Sequence, residues 1–138
     1  MTVLLAWSSM LLSACGSDEG GPDASPATTA LGQEFVLGFD ETIHVGRLSL
    51  EFATLAEDSR CPTSANCVWQ GNASILVTAT CGRVLSVLQL NTNPQFPVRA
   101  EFEGYSIELR SVDPYPMTTA LPNVQDYEAT LFVDVAAP

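Results

Sequence analysis

From residue 33 onward, apolar side chains recur at every second position, the period of a half-buried strand. Phe35, Leu37 and Phe39 share one parity, and Ile43 and Val45 keep it. After Gly46 the parity switches to Leu48, Leu50 and Phe52, which predicts a bulge or tight turn at the glycine and strand structure running to about Leu55. Residues 73–80 and 83–90 alternate on either side of Cys81 and Gly82, a short Gly-containing separation that reads as a β-hairpin. Tyr105, Ile107 and Leu109 oppose Ser106, Glu108 and Arg110 in another strand, which Pro114 and Pro116 stop. Tyr127, Ala129, Leu131, Val133 and Val135 form the last one, and residues 98–103 suit a short edge strand. Residues 57–72 and 91–97 are irregular, the second carrying Pro94 and Pro97. No useful run of helical period follows the first fourteen residues. About seven short strands predict an all-β domain, either a single antiparallel β-sandwich or a partly open barrel.

The chain begins differently. Residues 3–14 are apolar but far short of the ~20 residues a spanning helix needs, so they fit the apolar region of a signal peptide. The run ends in Leu12, Ser13, Ala14 and Cys15, which resembles the lipobox of bacterial lipoproteins. That resemblance implies removal of residues 1–14, diacylation of the Cys15 thiol and acylation of its new amino group. Everything beyond would then lie in the bacterial cell envelope, on the periplasmic or the cell-surface side. Residues 1–14 lack the Lys or Arg of a standard signal peptide, which suggests a start further upstream. Residues 15–30 are small, polar and acidic, and read as the lipidated cysteine with a flexible tether. Such a coil spans roughly 20 Å on average and roughly 50 Å when stretched. Asp18 and Glu19 resemble the acidic signals that some bacteria use to sort lipoproteins to their surface. Residues 31–138 form the β-domain.

The formal charge of −11, from 16 acidic residues against 5 arginines and no lysine, disfavours nucleic acid and anionic headgroups as partners. The membrane is therefore expected to hold this protein through acyl chains on Cys15 and not by electrostatics. With Cys15 lipidated, three cysteines remain. Cys61 and Cys67 are closest and are expected to pair, a ring worth about 2 kcal/mol in the chain-entropy model. Cys81 is then a free thiol, buried or available to another chain; the rival pairing joins Cys67 to Cys81.

The most distinctive stretch is Asp58, Ser59, Arg60, Cys61 and Pro62, followed by Cys67, Val68, Trp69, Gln70 and Gly71. It resembles a motif of secreted or lipidated bacterial proteins that have no assigned activity, covering about residues 52–73 with weaker similarity at 105–116 and 127–135. The resemblance implies an envelope β-domain and carries over no catalytic residue. Physically, the loop has the parts of a rigid knuckle: a small disulfide ring, a φ angle set by Pro62, and Arg60 within reach of Asp58 or Glu57. Trp69 either packs beneath the ring as an anchor or stands out as a contact residue. In the second case Trp69, Arg60 and Asp58 make the binding site.

Catalysis has little support in the residues. His44 is the single histidine and sits opposite Ile43 and Val45 on its strand, toward solvent. No nucleophile elbow accompanies it, nor any His/Cys set at metal-ligand spacing. Acidic pairs such as Glu57 with Asp58 suit scattered surface charge better than a cation site, although that pair is the first place to look for calcium. No cofactor is implied. The expected role is non-catalytic: a lipid-anchored envelope protein presenting the stapled loop to a protein or glycan. The alternatives are a structural envelope component without a specific ligand, and a hydrolase inhibitor that inserts the Cys61 to Cys67 loop.

Overall fold

The computed structural model describes residues 27–137, and within them nine strands form two facing sheets. In chain order these are β1 (Ala27–Thr29), β2 (Gln33–Gly38), β3 (Thr42–Val45), β4 (Leu48–Asp58), β5 (Ala73–Cys81), β6 (Val84–Asn91), β7 (Arg99–Phe102), β8 (Tyr105–Asp113) and β9 (Glu128–Val135), with a 3-10 turn at Val124–Asp126. One sheet has the order β1-β3-β4-β5-β6 and the other β2-β9-β8-β7. The sheets do not close on each other, so the architecture is a β-sandwich and not a barrel. Cys15, the apolar leader and residues 15–26 of the expected tether lie outside the described residues.

Alternation explains most of the core. Phe35 and Leu37 of β2 meet Leu131 and Ala129 of β9 in register, and Ile107 and Leu109 of β8 meet Val133 and Leu131. From the other sheet come Val45, Leu48, Leu50, Phe52, Ile75 and Val77, all without exposed surface. Phe39 crosses from one sheet to the other and sets its ring edge-on to Phe52, with centroids 5.6 Å apart. The parity switch at Gly46 is a two-residue hairpin loop: Val45 pairs with Leu48, and Gly46 takes φ +61°, which glycine adopts without steric cost. The hairpin around Gly82 has the same form, Cys81 pairing with Val84. His44 is half-buried on β3 opposite Ser49.

Four expectations need correction. The strands number nine where about seven were expected, because β3 is separate from β2, with which it shares a parity, and because β1 lies in the stretch read as tether. Residues 27–29, assigned to the tether, form β1, which runs parallel to β3; this edge strand buries little and so carries no alternation to read. Val135, placed on the inner face of the last strand, is 64% exposed at the sheet's end. Cys81 is not a free thiol: it is buried and disulfide-bonded, and the Cys61 to Cys67 bond rules out the Cys67 to Cys81 pairing.

Bulges re-aim two strands. In β4 the register slips between Phe52 and Thr54 and again between Leu55 and Glu57. Each slip inverts the parity, so Phe52, Leu55 and Asp58 all face inward, opposite Val77, Ile75 and Ala73. A carboxylate is thereby delivered to the inner face at one end of the sandwich. A single slip in β8, between Leu109 and Ser111, likewise turns Val112 into the core.

Candidate functional site

Asp58 meets its counter-ion two residues later. Arg60 forks onto the carboxylate, Nε donating to Oδ1 and Nη2 to Oδ2, both at 2.8 Å, and the Tyr127 hydroxyl donates to Oδ2 at 2.8 Å. The Asp58 side chain has no exposed surface and that of Arg60 has 7%. The remaining guanidinium donors reach the carbonyls of Val112 and of Pro114, the latter at 3.1 Å. The Tyr115 ring lies 4.9 Å from the guanidinium carbon, and its hydroxyl donates to the Cys61 carbonyl at 2.8 Å. One cation thus fastens three chain segments: the end of β4, the loop that follows it, and the exit of β8.

Burial by itself would push the Asp58 carboxyl up, but the Arg60 fork and the Tyr127 hydroxyl outweigh it and hold the group below the usual carboxylate range. Burial also disfavours the charge of Arg60, and the Asp58 hydrogen bond and charge more than restore it. Tyr127 is pushed up to about 12 by burial and then by its bond to the Asp58 carboxylate. A raised folded-state value means that the native protein holds this proton more tightly than the unfolded chain does. Stability should be intact below pH 10 and fall on the order of 2–3 kcal/mol as pH rises from about 10 to about 12. Denaturant titrations across that interval check it: Tyr127→Phe should flatten the decline, and an unchanged slope in the variant would count against the assignment.

The clamp carries the stapled loop. Cys61 and Cys67 are bonded, their Cα atoms 5.9 Å apart, so the expected pairing holds. The ring is strapped to the β8–β9 connection: Thr63 and Ser64 donate backbone N–H groups to the carbonyls of Pro116 and Met117 at 3.1 and 3.2 Å. Beneath it lies a buried amide ladder. Asn72 donates to Asn91 at 2.9 Å and accepts from the Asn93 backbone at 3.1 Å, while Asn93 donates to the Gly71 carbonyl at 3.0 Å. These bonds join the loop after β4 to the loop after β6 at the same end of the sandwich.

What the clamp and ladder present is apolar and aromatic. Trp69 is 76% exposed and Val68 96%, with Phe96 of the neighbouring loop at 50%. Trp69 is therefore not the packing anchor beneath the ring. Asp58 and Arg60, expected beside it as contact residues, are buried in the clamp instead, because the two bulges in β4 turn Asp58 inward. Glu57 faces solvent while both Asp58 oxygens are occupied, so the pair does not converge on a cation; among the described residues no group of three His, Cys, Asp or Glu side chains is placed to hold a metal. Tyr115, Tyr127 and the three asparagines were not singled out by sequence reasoning, since single polar residues in loops and strand ends carry no spacing signal.

Two concavities flank the loop. One, of about 210 Å³, lies over Arg60, Val112 and Tyr115. The other, of about 490 Å³, runs between the two loops and is lined by Trp69, Gln70, Asn93, Gln95, Phe96 and Glu57 among others. Rigid walls and exposed rings suit recognition; in the first concavity the Ser111 hydroxyl also donates to the Asp113 carboxylate at 3.2 Å. No protein-family model matches this chain, and neither a curated protein nor a solved structure matches it.

Proposed function

We propose that this is a lipid-anchored protein of the bacterial envelope, non-catalytic, that displays the Cys61 to Cys67 loop and Trp69 to a protein or glycan partner. The observation that carries the reading is Trp69: a large indole 76% exposed on a loop held by a disulfide and a buried ion pair. Exposing so much apolar surface costs solubility, and fixing the backbone beneath it lowers the ordering entropy a partner must supply. Arg60 and Asp58 serve as positioning residues in this reading. The alternative is a structural envelope component in which the loop only closes the fold; it leaves the exposure of Trp69 without a purpose.

Crosslinking in native envelopes, with capture of the wild-type chain and of a Trp69→Ala chain shown to be folded, tests the binding claim. A partner that is lost on substitution, and that binds again when purified, supports it; partners unaffected by the change would make the loop scaffolding. The anchor has its own test. Mass spectrometry of the native protein should find diacylglycerol on an N-terminal Cys15. An unacylated Cys15 would sink the anchor and leave the Trp69 site standing.

A further inference from the structure

The groove beside Trp69 has a chemistry of its own. Its walls are two aromatic rings, Trp69 and Phe96, each at least half exposed. The same groove is lined by Gln70 and Gln95, both exposed, whose side-chain amides make no hydrogen bond among the described residues. Asn93 is different: it is buried and committed to the ladder, so it shapes the floor. Among the described residues Glu57 is the only charged one lining the groove, and no Arg or His lines it. At about 490 Å³ the space falls inside the roughly 300–1,000 Å³ typical of small-molecule sites.

Resting on the reading of Trp69 as a contact residue, we infer that this groove binds a neutral carbohydrate. Each chemical element of the site matches one feature of a pyranose. The C–H face of a sugar ring is flat, apolar and slightly electropositive, the complement of an indole face. Hydroxyl groups both donate and accept, as side-chain amides do, so Gln70 and Gln95 pair with them in either sense. With one carboxylate, no cation and a protein charge of −11, phosphorylated, sulfated and uronic acid ligands are repelled. A folded protein partner is less well served, because a standard protein interface buries on the order of 800 Å² per partner over an apolar centre, and this groove is narrow and mixed in polarity. The amide ladder holds its walls in place before ligand arrives, which lowers the cost of binding a small solute.

The test uses the full chain with Trp7→Phe, so that Trp69 is the single tryptophan and is excited apart from the tyrosines. Cellotetraose, maltotetraose and chitotetraose are titrated, with a reduced open-chain hexitol as control, reading fluorescence and calorimetry. At least one oligosaccharide should bind and shift the emission, and the hexitol, which has no ring face, should not. Trp69→Ala should weaken that binding at least tenfold and Gln70→Ala with Gln95→Ala about tenfold. Trp69→Tyr should retain it within a fewfold, whereas Trp69→Leu should not, since an apolar side chain without a flat face cannot stack. Binding by none of the three sugars, or equal binding in the Leu variant, overturns the inference. If sugars fail while Trp69→Ala still abolishes capture of a purified envelope partner, the binding reading survives and only the ligand class is wrong. If both fail, both are overturned.

Discussion

Arg60→Ala should destabilise the protein by about 3–5 kcal/mol in equilibrium denaturation, the cost of leaving a buried charge without its partner. The Asp58 carboxylate has no exposed surface, and Arg60 supplies two of its hydrogen bonds. Removing the guanidinium also orphans the carbonyls of Val112 and Pro114. Two further variants separate the sources of the loss. Arg60→Lys should recover little of it, because one ammonium cannot fork onto both oxygens and still reach the two carbonyls. Arg60→Ala with Asp58→Ala should cost clearly less than the sum of the single changes, because each single change strands the other's charge. Additive losses would mean that the residues act independently and that the clamp does not exist as a unit. The loss should come with greater accessibility of the loop amides to hydrogen exchange, since the same cation fastens the loop to β8.

Gly71→Ala is expected to cost about 3 kcal/mol, for steric reasons unrelated to charge. Gly71 sits at φ +70°, and a Cβ built there falls 2.0 Å from the Ser59 carbonyl oxygen and 2.8 Å from the Arg60 Cα. Both neighbours are backbone and cannot swing aside. The close approach is the one at which the Ser59 amide donates to the Asn72 carbonyl at 2.7 Å, closing the neck of the loop. Gly104→Ala is the control, at φ +81° with nothing within 4 Å. It carries the backbone penalty alone, about 1 kcal/mol. Chemical denaturation of the two variants measures the difference; equal losses would show that the neck is free to open. A large effect at Gly71 together with lost binding at Trp69 would also tie the geometry of the neck to the groove, which the adjoining residues Trp69 and Gln70 line.

Alternation of apolar residues was enough to name the all-β class, to place the hairpin at Gly82, to mark Gly46 as a bulge or tight turn, and to bring out inward residues of β2, β8 and β9. The reason is that a strand half-buried against a facing sheet must repeat every two residues. The six-residue separation of Cys61 and Cys67 was likewise sufficient for their pairing. The resemblance to lipoproteins at Cys15 belongs to the sequence alone, because that residue lies outside the described part of the fold. What tertiary structure decided was the site. Two bulges in β4 set Phe52, Leu55 and Asp58 on one face at a spacing of three, a period that reads as neither face of a regular strand. Arg60, adjacent in sequence and apparently a surface residue, is buried because Tyr127, Val112 and Pro114, more than fifty residues distant, converge on it and on Asp58. Trp69 stands exposed on the loop that follows, and shares the lining of one groove with Phe96 and Gln95 of the loop after β6. No pattern along one strand encodes such a meeting of loops, since it depends on where separate strands end and on which bulge turns a side chain inward.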